Sequence, residues 1–233
     1  MSGFKNLYET FRQPYVLNIF CDASLKHRGE ESDICYGSVA VNKDNILDSI
    51  YRINTSSTSN RGEAQAILAG LYLANKFKDK YSVINIFSDS QISILNLRER
   101  YKNWEYHDGD YYIKSGGVLA NQDIYSQIIK YICDNDLEIN FFHQKGHVND
   151  NKFSDIMHAT DVFAMSNRLK CKIDYSFIRY ISKYNNIVDA HSRSVLLRMD
   201  TIHNKFISPC KFMSTKETLD EYKERKIHHE WNS

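Results

Sequence analysis

Two segments of this chain share one layout. Val16-Leu17-Asn18-Ile19-Phe20-Cys21-Asp22 and Val83-Ile84-Asn85-Ile86-Phe87-Ser88-Asp89 both run Val-x-Asn-x-Phe-x-Asp. Apart from the asparagine, each is apolar at odd and even positions alike. A strand of that kind belongs inside a sheet covered on both faces. Helical patterns follow, so the two strands can be parallel neighbours. Their carboxylates then meet at the C-terminal edge, where open α/β sheets place ligands. A lone Asp at a strand end is ordinarily a turn or cap residue. Two adjacent ones repel unless a cation lies between them, and Mg²⁺, which prefers oxygen ligands, resolves the conflict.

The rest of the chain supplies the other layers. Ile34 to Val41 and Ile46 to Ile53 are strand-like runs separated by Asn42-Lys43-Asp44-Asn45, which predicts a hairpin. A polar loop over 54–60 leads into a helix from about Arg61 to Lys78, with Ile67, Leu71, Ala74 and Phe77 at helical spacing. Glu63 lies one turn before Ile67 and projects from the buried stripe, which makes it a candidate third ligand. The competing reading makes it the partner of a helix cap at Asn60. Further on, the patterns predict a helix over 91–100, a protruding loop over 101–120, a helix over 123–133 and a strand over 137–143. Helical stretches follow near 151–166 and 188–199, and then a polar tail over 200–233. Strands first, then alternating helices and strands, indicate an α/β fold with an antiparallel edge hairpin.

Composition removes several classes. The chain has 233 residues with 42% hydrophobic content, enough for one large domain, or one of about 150 residues with an appendage. A net charge of +1 gives no basic-protein argument for nucleic acid. Cys21, Cys35, Cys133, Cys171 and Cys210 are scattered, which excludes a C-x-x-C zinc knuckle and disfavours a disulfide framework. The opening MSGFKNLYETFRQ lacks an apolar signal core. The longest apolar run, Ala64 to Ala74, is about half a membrane span. The expectation is a soluble, cytoplasmic protein with no membrane association and no required protein partner.

Four short motifs then resemble a known family. Asp22-Ala23-Ser24, Asn60-Arg61-Gly62-Glu63, Asp89-Ser90-Gln91 and Lys145-Gly146-His147 are similar, in order and spacing over about 14–147, to the motifs of type 1 ribonuclease H. Each is weak alone, and four in order are fairly specific. Ala23 departs from the family's usual glycine. The resemblance implies a ribonuclease H-like five-stranded mixed sheet, an antiparallel hairpin plus parallel strands, flanked by helices. It implies two Mg²⁺ ions, with Mn²⁺ as a possible substitute, and two-metal-ion hydrolysis of the RNA strand of RNA–DNA hybrids. By resemblance Asp22, Glu63 and Asp89 are metal ligands and His147 assists proton transfer or product departure. Ser24, Asn60 and Gln91 contact the RNA strand, and the loop Thr58-Ser59-Asn60 holds a DNA-strand phosphate. Lys102, Trp104 and Lys114 fall where the family often carries a basic handle. Acidic neighbours dilute their charge, and Trp104 reads equally well as a cover for the core edge.

The fourth carboxylate has three candidates. Asn185-Asn186-Ile187-Val188-Asp189-Ala190-His191-Ser192-Arg193 resembles the end motif of retroelement ribonuclease H domains, which favours Asp189. Asp155 fits by distance from the Gly-His loop, and Asp161 fits less well. Choosing Asp189 gives a domain over 14–199, with 148–184 inserted before the last helix and 200–233 as a tail whose charge run faces solvent. Two other readings compete with hybrid cleavage. One is a nuclease of the same fold with another substrate, a resolvase or an exonuclease. The other is a catalytically silent hybrid-binding module, disfavoured because buried carboxylates without metal are costly.

Overall fold

The two matched segments lie side by side, residue against residue. The computed structural model describes residues 6–28, 31–55, 57–146, 166–167, 170–172, 174–198 and 216–228. Its elements begin with α1 (Leu7–Phe11), β1 (Val16–Arg28), β2 (Glu31–Asn42), β3 (Asn45–Asn54), α2 (Ser59–Phe77), β4 (Val83–Ser88) and α3 (Gln91–Arg98). A 3₁₀ turn (Arg100–Asn103), β5 (Trp104–His107), β6 (Asp110–Ile113), α4 (Gln122–Asp134) and β7 (Ile139–His143) follow. Then come α5 (Tyr175–Arg198) and α6 (Lys216–His228).

Five strands form one mixed sheet in the order β3-β2-β1-β4-β7. β1, β4 and β7 are parallel, and β2 and β3 turn back antiparallel on the β1 side. The register pairs Asn18 with Asn85 and Phe20 with Phe87, then Asn85 with Asn140 and Phe87 with Phe142. Period-2 alternation then puts one asparagine row and one aromatic row on the same face. The Asn85 amide donates to Asn18 Oδ1 at 2.9 Å, and the Asn140 amide donates to Asn85 Oδ1 at 3.1 Å. The Asn18 amide completes the row by donating to the Phe11 carbonyl and the Tyr180 hydroxyl. Buried Asn18 and Asn85 thus find their partners within the protein rather than in water, and half-buried Asn140 ends the row.

Each face of the sheet carries its own core. Leu17, Ile19, Ile84 and Ile86 pack with α2, α4 and the β5–β6 hairpin. Phe20, Phe87 and Phe142 pack with Phe11 and with Phe177, Tyr180 and Tyr184 of α5. Phe20 stacks on Phe87 with ring centroids 5.0 Å apart.

Five features differ from the sequence expectations. The lead-in before Pro14 is not merely polar: Asn6 caps α1, accepting from Glu9 N at 2.7 Å, and Leu7 and Phe11, one turn apart, enter the core. β1 does not stop at Asp22. It parts from β4 after Cys21 but stays paired with β2 as far as Arg28. The cap of α2 is Thr58, whose hydroxyl accepts from Arg61 N at 3.3 Å, so Asn60 lies inside the first turn. Residues 101–120 are a packed hairpin rather than a protruding loop. Asp108 and Gly109, both at positive φ, make the two-residue turn that hairpins favour, and Tyr101, Trp104 and Tyr111 are buried. The tail, finally, holds α6, with Leu219 and Tyr222 in the core.

The last expected helix near 188–199 begins earlier, at Tyr175, and the helix expected near 151–166 falls almost wholly outside the described residues. Cys21, Cys35, Cys133 and Cys171 are buried thiols. Among the described residues no helix is long and apolar enough to cross a membrane.

Candidate active site

The site forms where β1 and β4 diverge. The ladder between them ends at the Cys21–Ser88 pair, and Asp22 and Asp89 are the next residues on each chain. The third carboxylate arrives on α2 because that helix lies unusually close to the sheet. A Cβ on Gly62 would collide with the Ile34 side chain and come within 3.1 Å of Ala23 Cβ, so only glycine lets the first turn approach. Glu63 then stands beside Asp22. Oxygens of Asp22, Glu63 and Asp89 all lie within 4.8 Å of one another.

Such a group is electrostatically unfavourable by itself. Burial, and then the charges of Asp89 and Asp189, push the Asp22 carboxyl up to about 8, against the hydrogen bond it accepts from Ala23 N and the nearby Arg193 charge. Burial and then Asp22 and Asp89 push Glu63 well above the usual carboxylate range. Glu63 Oε2 is buried with no hydrogen-bond partner among the described residues. Hard oxygen atoms, crowded charge and an orphaned carboxylate oxygen are what a divalent cation would satisfy.

Asp189 on α5 borders this trio but is not within the same mutual distance. Its Oδ1 accepts from Ser24 Oγ at 3.1 Å and from Arg193 Nε at 2.8 Å, and Arg193 also reaches Oδ2 at 2.8 Å. The two-pronged grip fixes the carboxylate plane. Ser24 therefore engages Asp189, and its hydroxyl ties β1 to α5. The i, i+4 spacing of Asp189 and Arg193 was a readable signal for this pair.

The other expected site residues divide into three groups. Ser59, Asn60 and Gln91 are exposed at the starts of α2 and α3, and Thr58 is exposed as the cap of α2. Gly146, the glycine of the Gly-His pair, abuts Asp89, since a Cβ built on it would fall on the Asp89 carboxylate. His147, Asp155 and Asp161 lie outside the described residues. One contact had no sequence signal: buried Gln144, just before the Lys145-Gly146-His147 motif, donates to Oδ1 of Asn185, the first residue of the end motif, at 2.5 Å, joining the end of β7 to α5.

A groove of about 690 Å³ opens from the first turn of α2 and runs between α3 and the β5–β6 hairpin. Asn60, Asn96, Arg100, Trp104, Lys114 and Asn121 are among its walls. Asn60 is one helical turn from Glu63, so the groove adjoins the carboxylates.

Solved structures with a similar arrangement include LC11-RNase H1 in complex with RNA/DNA hybrid, at 16% identity over 55% of this chain and 85% of that one, with a TM-score of 0.43. RNase H1 from the halophilic archaeon Halobacterium salinarum NRC-1 is 18% identical over 55% of this chain and 85% of its own, with a TM-score of 0.39. The foamy viral protease-reverse transcriptase in complex with RNA/DNA hybrid is 13% identical over 57% of this chain and 18% of its own, with a TM-score of 0.48. No match is found among curated proteins. The family profile of RNase H matches residues 14–162, a range that takes in Asp155 and Asp161 and stops short of Asp189. That match covers more than half of the sequence and begins just before β1, and by it the chain belongs to the RNase H family.

Proposed function

We propose that this chain hydrolyses the RNA strand of RNA–DNA hybrids, with two Mg²⁺ ions held by Asp22, Glu63, Asp89 and Asp189. The observation that carries the reading is the close trio of carboxylates, Asp22 buried and Glu63 and Asp89 half-buried, with an unpartnered Glu63 oxygen. Family membership supports the reaction class, and the position of Asp189 beside Ser24 supports its choice over Asp155.

When bound, such ions lower the pKa of an attacking water and stabilise the leaving oxygen. The chain's own residues do the rest. Ionised Asp22, Glu63 and Asp89 supply the negative charge, and Ser24 and Arg193 hold Asp189 in one orientation. Gly146 leaves Asp89 room against the end of β7. His147, next in sequence, takes the proton-transfer role. Hybrid differs from duplex DNA by the 2′-hydroxyls of its wide minor groove. Exposed Asn60 and Gln91, flanking the carboxylates, both donate and accept, which suits those hydroxyls. Thr58 and Ser59 face a phosphate of the DNA strand, and Arg100 and Lys114 set positive charge along the groove for the backbone.

The test is cleavage of a labelled hybrid with and without Mg²⁺ or Mn²⁺. Duplex DNA, duplex RNA and single-stranded RNA run alongside, with Asp22→Asn, Asp155→Asn and Asp189→Asn as variants. Metal-dependent cutting of only the hybrid's RNA strand, abolished by Asp22→Asn and Asp189→Asn and kept by Asp155→Asn, is the expected outcome. A dead Asp155→Asn beside an active Asp189→Asn would move the fourth carboxylate. An intact hybrid after incubation with folded parent protein would refute the reaction.

A further inference from the structure

We infer that α6 is the seat of the β5–β6 hairpin, and that Tyr222 and Lys223 are positioning residues for substrate held in the groove this hairpin walls. The helix lies beyond the residues the family profile matches. The hairpin stands apart from the five-stranded sheet as a separate two-stranded ribbon. A two-stranded ribbon alone is marginal in water and needs something to pack on. Here α6 lies against α4 and β5, with Leu219 and Tyr222 buried in the core that holds Trp104 and Tyr111.

Its contacts fall on three consecutive pieces of the groove wall. The Tyr222 hydroxyl donates to the Leu97 carbonyl at 2.6 Å, one of the last carbonyls of α3, which lack partners within the helix. The Tyr222 ring meets Tyr101 of the 3₁₀ turn edge to face, with centroids 5.0 Å apart. Lys223 Nζ donates to the Trp104 carbonyl at 2.6 Å, at the first residue of β5. Asn96, Arg100 and Trp104, which line the groove, belong to these same three pieces. The helix thus grips from behind the wall whose front faces the groove. The carboxylates come from β1, α2, the end of β4 and α5, which α6 is not needed to place. Loosening the seat should therefore alter substrate binding and leave the chemical step alone.

The substrate step of this inference rests on the hybrid reading above. The experiment uses the full chain in a Trp231→Phe background, so that Trp104 is the remaining one of the two tryptophans. Tyr222→Phe removes one hydrogen bond, Lys223→Met removes the other, and Tyr222→Ala removes ring and bond together. Arg225→Gln, which cuts the Arg225 pair to Asp136 at the solvent rim, is the control. KM and kcat on a short hybrid and Trp104 emission are measured for each. The expected result is a KM raised about fivefold by each single loss, and further by Tyr222→Ala, with kcat unchanged. Trp104 emission should move to the red in Tyr222→Ala, and Arg225→Gln should change neither readout. Unmoved emission in Tyr222→Ala would refute the seat. Shifted emission with an unchanged KM would refute its role in the groove. A fall in kcat equal to the rise in KM would show general loss of structure and refute positioning. A parent chain that leaves hybrid uncut while its emission still responds to Tyr222→Ala would instead refute the proposed function.

Discussion

Replacing Asp22 by Asn should stabilise the metal-free protein, and by an amount that depends on pH. The Asp22 carboxyl is raised from 3.8 to about 8, chiefly by burial and then by Asp89 and Asp189. A carboxyl with a folded pKa above its unfolded value binds its proton more tightly in the fold. Its contribution is complete below the unfolded value and is lost as pH climbs toward the folded one. Each pH unit inside that window removes about 1.4 kcal/mol, so between about pH 5 and 7 the parent loses on the order of 3 kcal/mol through this group. Glu63, raised by the same causes, adds to the slope. Asp48 and Asp123 are lowered by their partners Lys76 and Arg61, so their stabilisation fades only as pH falls below the ordinary carboxylate range, outside this window. Asn at position 22 carries no charge and also relieves Glu63 and Asp89 of a repulsive neighbour.

The assay is urea denaturation in EDTA at unit steps from about pH 5 to about pH 8, for parent and Asp22→Asn. The parent should lose stability steadily across the series. The variant should follow a shallower line and be the more stable protein at the alkaline end. Adding Mg²⁺ should reverse the ranking, because cation binding to the folded parent restores stability by mass action and the variant binds it poorly. Parallel pH profiles, or a variant that is less stable than the parent at pH 8 in EDTA, would refute the claim that these carboxylates repel one another in the fold.

Three further outcomes follow from the packing. Asn85→Ala should cost about 2–4 kcal/mol in denaturation, because it strands the Asn18 carbonyl and the Asn140 amide at once inside the sheet, and a loss under about 1 kcal/mol would show that the row is not a structural unit. Gly146→Ala should keep the fold by circular dichroism but lower hybrid cleavage at least about tenfold, since the new methyl meets the Asp89 carboxylate, and unchanged turnover would refute that contact. Arg61 grips both oxygens of Asp123 where the starts of α2 and α4 meet, half-buried, so a double-mutant cycle with Arg61→Gln and Asp123→Asn should return a coupling of about 1–2 kcal/mol, and a value near zero would place the pair among ordinary surface bridges.

The centre of the molecule was legible because it is written in strong local code. Strands apolar on both faces apart from one asparagine announce a covered sheet, and the helical spacing of Ile67, Leu71 and Ala74 announces the layer that covers it. The periphery was harder for a specific reason in each case. The stretch 101–120 combines aromatic, charged and glycine residues, and its Asp108-Gly109 turn signal is flanked by only four residues of strand on either side. Those strands alternate Trp104 and Tyr106 against Tyr111, but their burial depends on α4 and α6, which a local reading does not see. Leu219 and Tyr222 are buried positions of a strongly charged helix, and so short an apolar stripe in a charge run reads as a solvated face until the core it joins is known. The cap at Thr58 was hidden because Ser59 and Asn60 are equally good cappers in sequence, and only backbone geometry selects among them.

The asparagine row explains why the two matched strands bring their carboxylates together at all. Side chains alternate along a strand, so a slip of one residue between β1 and β4 would turn Asp89 to the opposite face from Asp22. Uniformly apolar strands specify register weakly, because Leu, Ile and Phe pack tolerably in more than one alignment. Asparagine does not: moved by one position, Asn85 would point away from Asn18 and leave buried amide groups unpaired on both strands. The same holds one strand further, where Asn140 pairs with Asn85 and so aligns β7, and with it Gln144 and Gly146, against β4. The row lies four residues before the acids on each of the two strands. It is far enough from them to be fully buried and near enough that strand twist accumulates little error over the distance. Polar residues in the middle of an apolar sheet are costly when unpaired, and that cost is what makes the alignment of Asp22 beside Asp89 selective.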